Sequence, residues 1–257
     1  MDQKSNNPFF RNKAFSEGET TLYRADGRPV EIIDYNNTMT VRGAVNKTAI
    51  LFMVLLIGAA TAWYMPYIGI NPLVPAIAGA IIGTVLVIVS VFSPKSSRYT
   101  APAYALFEGV FIGGISWYFN LKWPGIVLQA VAGTLVTFGV CLALYKFGVI
   151  KVTQQFRSVV MASMMAIFTL YMAGFILSFF GFTMFFYGTS IYSIGFSVFV
   201  VVIAAMRLFL DFDDIEQGAE RNLPKYMEWF SAMGLMITLI WMYLEILKLL
   251  AKMQGRK

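Results

Sequence analysis

Seven apolar runs follow a polar start, and each is about as long as a helix needs to cross a bilayer, roughly 20 residues. They predict helix 1 near residues 48–66, helix 2 near 72–92, helix 3 near 102–119 and helix 4 near 124–145. Helix 5 follows near 157–181, helix 6 near 189–211 and helix 7 near 229–250. Pro72, Pro94, Pro102 and Pro124 fall where these helices begin or end, as befits a residue that lacks an N–H and suits a first turn. Pro75 lies one turn into helix 2, where a membrane bundle tolerates it. The connections 67–71, 120–123 and 182–188 are short, so neighbouring helices should be antiparallel hairpins with no room for a second soluble domain. The expected fold is an all-α integral membrane bundle of seven transmembrane helices. A polar leader over 1–46, a membrane domain over 47–251 and a basic tail over 252–257 complete the layout.

Composition points the same way. Of the 257 residues 58% are hydrophobic and 13% charged, against roughly 25% charged in an ordinary soluble domain. The leader lacks the short apolar core and small-residue cleavage site of a secretory signal, so helix 1 would be its own insertion signal. The leader itself is expected to be partly disordered. A net charge of +6 would suggest nucleic acid in a soluble protein, but here the basic residues gather in the leader and at helix ends. Membrane topology and anionic headgroups account for them, and the expected partner is the lipid bilayer, not nucleic acid.

Lys and Arg also set the orientation. Seven lie in the leader through Lys47, and Lys95, Arg98, Lys146, Lys151, Arg157, Arg221 and Lys225 fall in loops of the same side. The loops of the other side carry only Lys122. The positive-inside rule makes the N-terminus cytoplasmic. Lys248, Lys252, Arg256 and Lys257 break the pattern, which leaves two readings of helix 7: it crosses fully, or it dips in and returns its tail to the cytoplasm.

Several chemistries are excluded. The chain has no histidine, so imidazole metal sites, Ser-His and Cys-His catalysis and HExxH zinc proteases are out of reach. Cys141 is alone in an apolar stretch and reads as structural. There is no Gly-x-Gly-Asp of an intramembrane aspartyl protease and no phosphate-binding glycine loop, so no enzyme and no cofactor are expected. Gly79-xxx-Gly83 in helix 2 and Gly109-xxx-Gly113 in helix 3 have the spacing of close helix packing.

Acidic residues inside the apolar runs are few. A charge at the bilayer centre costs roughly 2.5–3.5 kcal/mol even on insertion scales, so such residues tend to face the bundle interior and mark pathways. Glu108 interrupts helix 3 with no basic neighbour in that helix, and Glu245 interrupts helix 7. Asp211 closes helix 6 and opens the cluster Asp211-Phe-Asp213-Asp214-Ile-Glu216. Arg207, Asp211 and Asp214 share one helical face, whereas Asp213, Glu216 and Glu220 are expected on a solvated extension of helix 6. Two readings stand for each of these acids: Asp211 is a gate or a helix-end acid neutralised by Arg207, and Glu245 is a gate or the partner of Lys248 along the stripe Trp241, Glu245, Lys248, Lys252. Carboxylates that converge in a bundle titrate as a unit, and carboxylates without histidine are the ligand set of a hard cation such as Ca²⁺. No fixed metal site is expected.

At these residues the chain resembles the Bax inhibitor family, the transmembrane Bax inhibitor motif proteins, and within it the bacterial branch with a long polar leader. The likeness is clearest in LFLDFDDIEQG at 208–218 and MYLEILKLL at 242–250. It implies a seven-helix fold with helix 7 central and the other six around it. It also implies a pH-sensitive carboxylate pair, which maps to Asp211 in Leu210-Asp211-Phe-Asp-Asp-Ile215 and to Glu245 in Met242-Tyr243-Leu244-Glu245. The second acid is Glu here, one methylene longer, and the stretch between the acids is longer than in the family pattern. A basic residue near the pair is a further family feature, for which Arg98 is the positional match and Arg207 the local competitor. The resemblance implies passive calcium leak and, in bacteria, interaction with a membrane-bound quality-control protease. The leading expectation is a pH-sensitive Ca²⁺ leak channel of the bacterial inner membrane, with Asp211 and Glu245 as sensor and gate and Glu108 and Asp214 as lining or pairing groups. The alternative is a non-conducting regulator that binds a membrane protease or another membrane protein. Proton-coupled transport of a small solute would use the same carboxylates but predicts broken helices, which the sequence does not advertise.

Overall fold

The computed structural model describes residues 22–23, 29–30, 37–182 and 184–256. The chain divides into two units, Met1–Thr38 and Met39–Lys257. In the first, β1 (Leu22–Tyr23) pairs antiparallel with β2 (Pro29–Val30), Leu22 opposite Val30. The rest of the leader up to residue 36, and with it the expectation of partial disorder, lies outside the described residues.

The second unit holds seven α-helices among the described residues: α1 Val41–Tyr64, α2 Leu73–Phe92, α3 Ser97–Lys122, α4 Ile126–Lys146, α5 Gln154–Ser178, α6 Ile191–Glu220 and α7 Met227–Gln254. Six are long and apolar enough to cross a membrane, and α3 is the exception to the expected seven. Its length, 26 residues, suffices. What it lacks is apolarity, because Glu108 interrupts it and its buried face, Tyr104 and Ile112 apart, is built from Ser97, Ala101, Ala105, Gly109, Gly113, Gly114 and Ser116. Small residues there serve contact with other helices, not with lipid.

Three of the helix starts are set by side-chain capping. The Thr40 hydroxyl accepts from the Gly43 N–H at 2.9 Å, so α1 begins at Val41, a full two turns before the apolar run expected at 48. Thr153 and Ser190 cap α5 and α6 in the same way. α3 begins at Ser97, which places Pro102 inside the helix and not at its start. Pro75 sits in the first turn of α2, where its missing N–H has no intrahelical partner to lose. At 30 residues α6 is about 45 Å long, more than a bilayer core, so it carries the acidic cluster onward as helix.

Backbone contact at glycine fixes the α1–α3–α2 layer. A Cβ at Gly109 would strike the Leu55 carbonyl, and one at Gly58 would come within 3.1 Å of the Gly109 Cα. A Cβ at Gly113 would lie 2.6 Å from the Ala59 carbonyl, and one at Gly79 would lie 2.5 Å from that of Phe107. Gly83 is where α2 meets the Glu108 carboxylate.

α7 is the most buried span, with 56% of its apolar window buried against 22% for α1, α2 and α4. It packs on α1, α3, α4 and α6. Its N-terminal end is tied to that of α1: buried Glu228 accepts from the Thr40 N–H at 3.1 Å and hydroxyl at 3.0 Å. Its other end lies by the α3–α4 and α5–α6 connections, since a Cβ at Gly255 would be 3.3 Å from Thr189 and 3.6 Å from Trp123. α7 therefore runs the full length of the bundle, parallel to α1, and is long and apolar enough to cross a membrane.

Candidate functional site

The acids stand around α7 at separate stations. Asp211 belongs to the inward stripe of α6 with Ala204, Leu208 and Ile215, spaced at helical intervals, and is 5% exposed. The Arg207 guanidinium, one turn back, reaches its Oδ1 at 2.8 Å and extends to Asp214 at 4.0 Å. Its Oδ2 is buried with no hydrogen-bond partner among the described residues, beside Thr238 of α7. The spacing of Arg207, Asp211 and Asp214 on one face is thus realised as a shared guanidinium.

Beyond Arg207 the charges alternate outward along α6. Arg157, in the first turn of α5, binds Asp213 and Asp214 at 2.6 Å each. Gln217 donates to Asp213 at 2.6 Å, and Arg221 to Gln217 at 2.9 Å. The Tyr145 hydroxyl of α4 donates to Glu216. Asp213 is accordingly an interhelical tie rather than a merely solvated acid, while Glu216 and Glu220 are exposed.

Glu245 is 1% exposed and fully engaged. Lys248 donates to its Oε1 at 2.6 Å and Trp241 Nε1 at 3.2 Å, and the Tyr171 hydroxyl of α5 lies 3.1 Å from Oε2. The Lys248 ammonium also sits 4.8 Å from the centre of the Tyr171 ring, a cation–π contact. One turn on, the Lys252 ammonium is held by the Phe186 carbonyl at 2.7 Å, the Ser197 hydroxyl at 2.7 Å and the Ser193 carbonyl at 3.4 Å. Phe185, Phe186 and Phe196 pack with Tyr171 to cover this end.

Asp211 and Glu245 do not form a shared hydrogen-bonded pair. Asp211 faces Thr238, seven residues before Glu245 on α7, which is about 10 Å along the axis. Each acid has its own cation, and α7 presents them at different depths. Arg98, the positional match for a basic partner, is exposed in the first turn of α3 and lies 4.7 Å from the Tyr99 ring. Arg207 is the base that Asp211 uses.

Glu108 occupies a third station. With Thr84, Val87, Tyr104 and Ile237 it lines a cavity of about 230 Å³ between α2, α3 and α7, and it forms no ion pair among the described residues. Ile237 and Thr238 are successive residues about 100° apart around α7, so Glu108 and Asp211 sit at one level on different faces of that helix. Among the described residues no three acidic or cysteine side chains are close enough to hold a metal ion.

Sequence reasoning missed Arg157, Tyr171, Thr238, Glu228 and the caging of Lys252. Tyr171 carried the one usable signal, a hydroxyl in a run of apolar residues, since a buried Tyr finds a partner for its O–H. Arg157 pairs with residues 56 and 57 positions away, which no local pattern encodes.

A model of the family described as Bax inhibitor 1 like matches residues 7–255, nearly the whole chain. No curated protein and no solved structure matches it.

Proposed function

Because the chain belongs to the Bax inhibitor 1 like family and is a multi-pass membrane protein, we propose that it is a pH-sensitive cation leak channel, for Ca²⁺, in the bacterial inner membrane with its N-terminus cytoplasmic. One observation carries this reading: two buried carboxylates on adjoining helices are each closed by a tethered cation, Arg207 on Asp211 at 2.8 Å and Lys248 on Glu245 at 2.6 Å.

A tethered cation occupies the place that a mobile one would need. Carboxylate, carbonyl and hydroxyl oxygens suit a hard ion such as Ca²⁺. Conduction also requires that no station bind too tightly, which separate single acids satisfy better than a multidentate cluster. Protonation of either carboxylate removes the charge that holds its latch, so proton concentration sets how long the latch is closed. Asp211 and Asp214 share Arg207, so this end responds as a coupled group and not as one acid.

The test is Ca²⁺ flux into dye-loaded proteoliposomes across the neutral pH range, with Asp211→Asn/Glu245→Gln beside the wild type. Both changes keep shape and an acceptor oxygen but remove the titrating charge. The expected result is wild-type flux that varies with pH and a double variant whose flux no longer does. Unchanged flux and unchanged pH dependence in the double variant would overturn the gate assignment. Folded wild-type protein that passes no Ca²⁺ at any pH would overturn the leak itself and favour a non-conducting regulator of a membrane protease or other membrane protein.

A further inference from the structure

The bundle is open on one side. Between α1 and α4 runs a groove of about 1060 Å³ with α7 as its floor, where Leu239, Ile240 and Tyr243 line it. Its walls are apolar and lie bare: Val45 is 56% exposed on α1 and Leu135 50% on α4. The one polar pair along its depth is self-contained, because the Ser116 and Tyr243 hydroxyls bond each other at 2.5 Å. Nothing there asks for a polar solute.

The groove changes character at the end where α1 begins. Lys146, Lys151, Asp213 and Glu216 line it there. Both acids are already engaged, Asp213 by Arg157 at 2.6 Å and Glu216 by the Tyr145 hydroxyl. Lys146 and Lys151 are exposed and form no ion pair among the described residues. An apolar slot thus ends in two exposed ammonium groups that form no ion pair among the described residues, beside Glu216, whose charge the Tyr145 hydroxyl orients but does not cancel, and the two lysines are what an anionic headgroup would meet.

We propose that this groove is a binding site for an anionic phospholipid of the leaflet on that side, its phosphate between Lys146 and Lys151 and one acyl chain lying between α1 and α4. The dimensions agree. From Tyr145 to Leu135 on α4 is ten residues, about 15 Å, which is half of a hydrocarbon core about 30 Å thick. A zwitterionic lipid buries the same chain but brings no net charge to the lysines, so the headgroup sets the preference.

Native mass spectrometry of the full chain, delipidated and then titrated with an equimolar mixture of phosphatidylglycerol and phosphatidylcholine, tests this. The wild type should retain phosphatidylglycerol preferentially. Lys146→Gln and Lys151→Gln should each cut that preference roughly fivefold, whereas Lys95→Gln, an exposed lysine away from the groove, should leave it intact. Leu135→Trp, which fills the slot, should lower retention of both lipids. Equal retention of the two lipids by the wild type, or a preference that survives the double lysine change, overturns the headgroup site. Retention that ignores Leu135→Trp overturns its location in the groove.

Discussion

Lys248 and Glu245 are three residues apart, and their pairing was legible as an i, i+3 contact; that the carboxylate would also take Trp241 and Tyr171 was only half legible, because Tyr171 comes from another helix. Lys248→Met removes the charge partner of a buried carboxylate and should lower stability. Leaving a buried acceptor short of a partner costs about 1–3 kcal/mol, and the low end applies here because Lys248 is 41% exposed and two donors remain. Thermal unfolding in detergent measures it. In a Glu245→Gln background the same lysine change should cost less; a deficit of equal size there would show that Lys248 acts through its packing on Tyr171 instead.

At the scale of the helix, small residues decide which faces can touch. Gly109 on α3 and Gly58 on α1 approach so closely that an added Cβ has backbone in its way, which no rotamer change relieves. Gly109→Ala should destabilise by about 1–3 kcal/mol as the two helices are pushed apart. Gly139 on α4 has nothing within 4 Å of its notional Cβ, so Gly139→Ala should be neutral or stabilise by about 0.5–1 kcal/mol through helix propensity. Melting both variants against the wild type is the check, and equal effects would refute the packing argument. The Gly109-xxx-Gly113 spacing was readable, but its partner Gly58 was not, since the match depends on how α1 is placed. Hydropathy likewise located the helices and set the starts of α2, α4, α6 and α7 within two residues, but it missed that of α1 by two turns, because Thr40 caps α1 ahead of polar turns that an apolar scan passes over.

For the whole molecule, the course of α7 from one end of the bundle to the other predicts that the tail lies on the side opposite the start of α1. Glu228 binds Thr40 at one end of the bundle, and Gly255 meets Trp123 and Thr189 at the other. Single cysteines at Arg42→Cys and Arg256→Cys, in a Cys141→Ser background, should react with a membrane-impermeant maleimide from opposite sides of the membrane. Labelling of both from one side would mean that α7 does not cross.

Apolar run length, the absence of histidine, the positions of Lys and Arg, and the helical spacing of Arg207, Asp211 and Asp214 were properties of the sequence by itself, because each depends on neighbours within a few residues along the chain. Those features determined a helical membrane protein with a few carboxylates inside its apolar runs. Tertiary structure alone decided that Asp211 and Glu245 stand about 10 Å apart along α7 rather than face to face, that Arg157 ties α5 to α6, and that a groove lies open between α1 and α4. The reason is physical: depth and facing depend on how helices slide and rotate against one another, and that is set by glycine contacts and ion pairs between residues far apart in the chain.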